Sequence, residues 1–364
     1  HELDPNNLDY LFMLADLAQL KKDWDIAIDY YIKSYQVNSM AINALEQALQ
    51  IALTTNSFDR AEEVCELLLE DDPENLKFLE TMRDLTLFTQ KYEITLEYVK
   101  RIEKIKGTNL ELLIQKSALY EELGKVDMAL KIMYEALELD SNNADAMHRL
   151  VALLIDNKDY QKAILYNQQF VDSHPNDPRG FINNAVMALT VKKPEDAILA
   201  LSPHVDRFHQ DFTVRYLIGT AYYQMKDYQN AEIHLSQALI LFPGSRNTKH
   251  NLALIYDSIE KWDLSDKLYM ELIATDSTDA QAFNNYAYSL VERDLNIQFA
   301  LELAKNAVRL VPNSAAYLDT IGWIYFKLNE YDQALEYLKE SLVIDSENET
   351  IQKHFDQIVK QIAD

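Results

Sequence analysis

The sequence predicts an all-α solenoid, in which helical hairpins of constant length stack on one another. Alanine, or Thr or Ser in its place, recurs every 34 residues along most of the chain. The members of this ladder are Ala27, Ala61, Thr95, Ala129, Ala163, Ala197, Ala231 and Ser265, and, after one extra residue, Ala300 and Ala334. Only 6 Gly and 8 Pro occur among 364 residues, so breaks for strands or long loops are few.

A second small residue precedes the ladder position in seven of the ten repeats and marks where the two helices of a hairpin cross, whereas Leu49, Arg83 and Val151 break the pattern. The clearest pairs are Gly219 with Ala231 and Gly322 with Ala334. A larger side chain at such a crossing would push the helices apart, which typically costs about 1–3 kcal/mol. Large apolar residues at helical spacing, such as Tyr31, are therefore interpreted as core.

This motif resembles the tetratricopeptide repeat (TPR) family over essentially the whole chain. The resemblance implies a right-handed superhelical solenoid of about ten TPR repeats over residues 8–348. Residues 1–7 are interpreted as the tail of a preceding repeat. We therefore expect this chain to be a piece of a longer repeat protein or its mature form after processing. Residues 349–364 carry one apolar stripe and are predicted to form a C-terminal capping helix.

Regularity is interrupted in the sixth repeat. Pro203 falls inside the expected second helix, where it removes a backbone donor and clashes with the preceding turn. Ser202 and Pro203 are therefore expected to begin a new short helix, and a flexure of the solenoid is predicted over residues 192–211.

Charge and hydropathy restrict the class of partner. The chain has 59 acidic and 34 basic residues, a net charge of −25, which repels nucleic acid and anionic membranes at long range. No stretch reaches the roughly 18 apolar residues of a membrane span, so no transmembrane segment is predicted. Protein or peptide partners are expected, either neutral or basic.

Catalytic patterns are lacking. The single cysteine, Cys65, falls at a core position and is interpreted as a buried structural thiol. The eight histidines are scattered and form no metal-ligand spacing, and no phosphate-binding Gly-rich loop occurs. We therefore predict no catalytic residues, no metal and no cofactor, and a protein that is not an enzyme.

The TPR resemblance places partner binding in a concave groove lined by the first helix of each repeat. In the C-terminal half, the groove positions carry aromatic and amide side chains, a composition typical of interface anchors. Leu254, Asp257 and Asp319 occupy groove positions as well. The predicted partner-binding residues are Tyr216, Tyr223, His250, Asn251, Asn284, Asn285, Tyr288 and Trp323. An alternative for Trp323 and Phe326 is packing against the capping helix.

The groove positions of the N-terminal repeats differ, because they form a more acidic wall. Asp9, Asp16, Glu46, Glu80 and Asp84 belong to it. Such a wall would attract a basic segment by a Coulomb force that fades with salt.

The predicted function is a non-enzymatic scaffold or adaptor that holds an extended or helical segment of a partner. Similarity of the last repeats to long bacterial TPR proteins favours envelope assembly or secretion, in the periplasm or at the outer membrane, with the cytoplasm as the alternative. A second hypothesis is the substrate-recruiting TPR arm of a larger enzyme such as a glycosyltransferase. A third is self-association through the exposed N-terminal repeat.

Overall fold

The structure is a computed structural model that describes residues 6–363, and all regular secondary structure in that range is helical. The predicted all-α repeat class is therefore confirmed. Most of the predicted N-terminal tail, residues 1–5, lies outside the described range. The chain divides into two compact units, unit 1 up to Gly180 and unit 2 from Phe181.

Antiparallel helix pairs build both units, each pair being one repeat. Unit 1 contains α1 (Leu8–Lys21), α2 (Trp24–Val37), α3 (Ile42–Thr54), α4 (Phe58–Asp71), α5 (Leu76–Phe88), α6 (Tyr92–Lys106), α7 (Leu110–Glu122), α8 (Val126–Leu139), α9 (Ala144–Asp156) and α10 (Tyr160–Ser173). The helices that follow are α11 (Pro178–Thr190), α12 (Pro194–Leu201), α13 (Phe212–Gln224), α14 (Tyr228–Leu241), α15 (Arg246–Ser258), α16 (Trp262–Thr275), α17 (Ala280–Glu292), α18 (Ile297–Leu310), α19 (Ala315–Lys327), α20 (Tyr331–Ile344) and α21 (Glu349–Ala363).

The alanine ladder lies in the second helix of every hairpin, and all ten of its side chains are at most 1% exposed. This burial explains the small residues, because the first helix of the same hairpin packs directly on them. Thr95 fits the same position because its hydroxyl donates to Thr86 Oγ1 at 3.0 Å and to the Lys91 carbonyl at 3.1 Å. The buried hydroxyl of Thr95 therefore has hydrogen-bond partners.

The turn inside each hairpin repeats as strictly as the ladder. One residue of each turn has a left-handed backbone, with φ between 56° and 67° in most repeats, and these residues are again 34 apart from Lys22 to Asp294. Only Gly124 among them is a glycine, so the other turns use residue types that adopt this conformation at some cost. The extra residue of the ninth repeat lies here, where Asp294 and Asn296 both have positive φ.

At Pro203 the regular hairpin is broken. Helix α12 ends at Leu201 and is followed by a 3-10 turn, Ser202–His204. The ring of His204 lies 3.8 Å from that of Phe181 and 6.3 Å from that of Phe208, so aromatic packing holds the irregular segment in unit 2.

The last helix packs on the final hairpin. Helix α21 contacts both α19 and α20, and it buries Ile351 and Ile358 against them. Most of its other side chains face solvent. This is the arrangement expected of a capping helix, which covers the apolar face of the hairpin before it and presents a polar outer face.

Cys65 is fully buried in unit 1, as predicted, and its thiol donates to the Phe78 carbonyl at 3.4 Å. Burial raises the pKa of the thiol to about 12, with a smaller contribution from the charge of Glu66. The thiolate is therefore scarce at neutral pH, and the residue serves packing rather than nucleophilic chemistry.

Replacing Gly219 with alanine is expected to destabilise unit 2 by about 1–3 kcal/mol, because the added methyl overpacks the hairpin. A Cβ at Gly219 would lie 2.6 Å from Leu235 Cγ and 3.0 Å from the Leu235 backbone nitrogen. Urea denaturation followed by circular dichroism measures the change. At Gly322 the nearest atom, Leu338 Cγ, is 3.0 Å away, so Gly322→Ala should cost less. A Gly219→Ala protein more stable than wild type, as helix propensity alone predicts, would contradict close approach.

Candidate functional site

The first helices of successive hairpins, α13, α15, α17 and α19, lie side by side and form one surface of unit 2. We call this surface the first-helix face. A cleft of about 350 Å³ opens on it. Its lining includes Asp257 from α15, Asn284, Asn285 and Tyr288 from α17, Asp319 from α19, and the start of α21. We call this the Asp257 cleft. Three of the predicted partner-binding residues therefore meet here.

Asp257 is held by neutral hydroxyl groups. Its two carboxylate oxygens accept hydrogen bonds from Tyr269 Oη at 2.9 Å and Ser289 Oγ at 2.8 Å. Burial raises the pKa of Asp257, opposed by these hydrogen bonds and by the more distant charge of Arg293. Arg293 itself pairs with Asp266 at 2.6 Å. The negative charge of Asp257 therefore has no ion-pair partner of its own within residues 6–363.

Asp319 forms the opposite side of the cleft and is bonded to the capping helix. Its carboxylate oxygens lie 2.8 Å and 3.0 Å from His354 Nδ1. The same imidazole stacks on the ring of Trp323 at 4.3 Å. The capping helix thus sets the position of Asp319, a role that the sequence pattern alone did not indicate.

Trp323 is only 6% exposed. Besides His354, its ring stacks on Phe326 at 5.0 Å, and its indole nitrogen donates to Glu292 Oε1 at 2.8 Å. The stacking on His354 is the contact with the last helix that was the alternative for this residue. Trp323 is not among the residues that line the cleft.

Tyr288 lies half-buried on α17 and lines the same cleft as the two carboxylates. Burial raises the pKa of its hydroxyl to about 12, with further contributions from the charges of Glu292 and Asp319. The hydroxyl remains protonated at neutral pH and is available as a donor or an acceptor to a bound segment.

Asn284 and Asn285 place two amides in the same cleft. Asn284 is 7% exposed, and its Nδ2 donates weakly to Asn285 Oδ1 at 3.4 Å. The buried Oδ1 of Asn284 has no donor among the described residues. An unsatisfied buried acceptor is costly, so a donor supplied by a ligand would be favoured there.

The other predicted residues lie elsewhere on the first-helix face. Tyr216 and Tyr223 are half-buried on α13, where the ring of Tyr216 stacks on Phe212 at 5.7 Å. Asn251 is half-buried on α15. His250 is buried, and its Nε2 bonds to Asp279 Oδ2 at 2.9 Å, so this side chain joins two neighbouring hairpins.

Unit 1 has clefts as well. One of about 400 Å³, beside α5, α6 and α7, is lined by Leu87, Phe88 and Gln115, among others. The acidic wall predicted for this half is largely paired within the chain. Its ion pairs are Glu46 with Lys77 at 3.5 Å, Asp84 with Arg83 at 2.8 Å, and Glu80 with Lys106. Much of its charge is therefore already compensated.

Family models for the tetratricopeptide repeat match residues 96–181, 212–243 and 315–348. The last two ranges coincide with the hairpins α13–α14 and α19–α20. The chain is a tetratricopeptide repeat protein. TPR hairpins bury their apolar faces against neighbours and leave a continuous surface of first helices, so this fold is that of a protein-interaction scaffold.

Curated relatives of this TPR protein are of several kinds. The type IV pilus assembly protein PilF of Pseudomonas aeruginosa is 27% identical over 128 residues, 34% of this chain and 50% of that protein. The human protein O-mannosyl-transferase TMTC3 is 22% identical over 254 residues, 69% of this chain and 28% of that protein. The TPR repeat-containing protein MJ1428 of Methanocaldococcus jannaschii is 21% identical, covering 91% of this chain and 51% of that protein. The chain thus spans about half, or less, of these relatives.

Solved structures agree on the fold. A TPR protein from Parabacteroides merdae aligns with a TM-score of 0.52 and 17% identity, over 69% of this chain and 98% of that one. A chain of the APC/C hetero-tetramer Cut9–Hcn1 aligns with a TM-score of 0.52 and 14% identity, over 98% of this chain and 90% of that one. Within the described residues, no helix combines the length and apolar character needed to cross a bilayer.

Proposed function

We propose that this TPR protein is a non-enzymatic scaffold or adaptor that binds an extended segment of another protein on the first-helix face of unit 2. The Asp257 cleft carries the proposal, since it combines a tyrosine, three amides and two carboxylates in one recess. Amides and a hydroxyl suit the backbone of an extended chain, while the half-buried ring provides an anchor. Tyr216, Tyr223 and Asn251 would extend the contact along the same face.

Replacing Tyr288 with alanine is expected to weaken peptide binding by about tenfold or more, as loss of an aromatic anchor does. Peptides are first selected on the whole chain from a randomised phage-displayed library, then synthesised and measured by calorimetry. Tyr337→Ala is the matched control. Tyr337 is also half-buried, but it lies on the second helix α20, where its ring stacks on Tyr325 at 5.5 Å.

Both variants lose one half-buried aromatic ring, so similar losses of thermal stability are expected and do not bear on binding. Selective loss of affinity in Tyr288→Ala supports the cleft as the binding site. Equal affinity for wild type and Tyr288→Ala would exclude it, and failure to select any peptide on the wild-type chain would contradict segment binding.

A role in envelope assembly or secretion is the form of this function that the similarity to a pilus assembly protein favours. The similarity to a protein O-mannosyl-transferase supports a second candidate, a substrate-recruiting arm of a larger enzyme. In that case the same cleft would hold the acceptor protein. The gene beyond both ends of the chain decides between them, because a glycosyltransferase domain there would favour the arm.

A further inference from the structure

Charge is distributed unevenly around the Asp257 cleft. Its lining contains the carboxylates of Asp257 and Asp319, and no lysine, arginine or histidine is among the described residues that line it. Glu292 lies close enough to add its charge to the field at Tyr288. Of the basic side chains nearby, Arg293 is bonded to Asp266 at 2.6 Å and Lys327 to Asp294 at 2.8 Å, whereas His354 is bonded to Asp319 itself at 2.8 Å. The recess is therefore acidic. It differs from the acidic groove positions of unit 1, where much of the charge is compensated by ion pairs within the chain.

A second observation points to a ligand that donates hydrogen bonds. Asn284 Oδ1 is buried on the same lining and has no donor among the described residues. Asp257 accepts from the hydroxyl groups of Tyr269 and Ser289, and no cation is paired with it among the described residues. A cation brought into a recess with reduced solvent access interacts with such a carboxylate more strongly than it would in water. The unused acceptor of Asn284 and the charge of Asp257 therefore both favour a cationic group that donates hydrogen bonds.

Resting on the function proposed above, we infer that the Asp257 cleft receives an arginine side chain of the bound segment. The three acceptors, Asp257, Asn284 and Asp319, come from three different helices, so they approach the recess from different directions. A guanidinium group has five donors spread around a rigid plane and sheds its hydration readily. A lysine ammonium is a compact, strongly hydrated charge and matches spread acceptors less well.

The test uses the whole chain and short peptide libraries that are acetylated and amidated, so that no terminal charge contributes. One central position is fixed as Arg, citrulline, Lys or Glu, and the flanking positions are randomised over uncharged residues. Citrulline keeps the shape of arginine and removes its charge. Fluorescence anisotropy is expected to show the Arg library binding about tenfold more tightly than the citrulline library, as for a charge placed against a desolvated partner.

Asp257→Asn and Asp319→Asn should each abolish most of this preference for Arg over citrulline. The matched control is Asp16→Asn, because Asp16 accepts from Tyr31 Oη at 2.8 Å just as Asp257 accepts from Tyr269, but belongs to unit 1. The control should keep the full preference. A further readout needs no variant, since added salt should weaken binding of the Arg library more than binding of the citrulline library.

The possible results distinguish failure of the arginine assignment from failure of the proposed function. Equal binding of all four libraries would overturn the arginine assignment and leave segment binding intact. Equal binding of Lys and Arg, or a preference that survives in both Asp variants, would overturn it too. If no library binds the wild-type chain at all, the proposed function itself fails.

Discussion

Replacement of Tyr269 by alanine is expected to lower the free energy of unfolding by about 3–5 kcal/mol, the usual cost of deleting a buried aromatic side chain. Tyr269 is 0% exposed and is the largest fully buried side chain of the core. Its ring stacks on Tyr286 with centroids 5.5 Å apart. Removing it leaves a cavity between α16 and α17 that rigid helices fill poorly.

The matched variant Tyr269→Phe separates packing from hydrogen bonding. Phenylalanine keeps the ring and removes only the bond from the hydroxyl to Asp257 Oδ2 at 2.9 Å. Loss of a hydrogen bond to a charged group should cost about 1.5–3 kcal/mol. Urea denaturation of both variants gives the two contributions, and equal losses would show that the ring itself contributes little.

The destabilisation caused by Tyr269→Ala should also be local, because each repeat of a solenoid contacts only its neighbours. Hydrogen exchange should therefore speed up in α15–α18 and change little in α2–α4. Exchange that rises equally in both regions would mean that the repeats unfold as one cooperative body.

The positions of the repeats could be predicted from the sequence alone. The ladder from Ala27 to Ala334 is a packing requirement, and such a requirement recurs at the same position in every hairpin. The spacing of the hairpins and the burial of Cys65 followed from this pattern, whereas the break at Pro203 followed from the missing backbone donor of proline. The left-handed turn residues were not predicted, because Lys22, Gln90 and Glu260 do not belong to the residue types that usually mark positive φ.

The cleft was predictable only in part. Asn284, Asn285 and Tyr288 share one helix, so their common surface follows from helical periodicity. The cleft also depends on contacts between elements distant in sequence, such as His354 with Asp319 and with Trp323. No local pattern encodes these pairings. A carboxylate at a groove position, such as Asp257, was the one available signal for the acidic character of the recess.

Replacement of Asp279 by alanine is expected to cost about 2–4 kcal/mol, the sum of a lost helix cap and of a buried nitrogen left without its acceptor. Asp279 is 0% exposed at the start of α17. Its Oδ1 accepts from the Ala282 backbone nitrogen at 2.9 Å, and its Oδ2 accepts from Arg246 Nε at 2.8 Å and His250 Nε2 at 2.9 Å. The carboxylate of Asp279 thus caps α17 and joins two hairpins, and replacement by alanine removes both interactions at once.

Asp279→Asn is the matched control, since asparagine caps a helix as well as aspartate but carries no charge. Burial alone would raise the pKa of Asp279, but the hydrogen bonds from Arg246 and Ala282 and the influence of His250 outweigh it and hold the pKa below the usual value of an aspartate. A lowered pKa stabilises the fold above the unfolded-state value, and this stabilisation is lost as pH falls through the folded-state value. In urea denaturation repeated at several pH values, the stability difference between wild type and Asp279→Asn should therefore be constant near neutral pH and shrink as the pH falls below the usual pKa of an aspartate. Equal stability of the two proteins at every pH would mean that the cap, and not the charge, is what α17 requires.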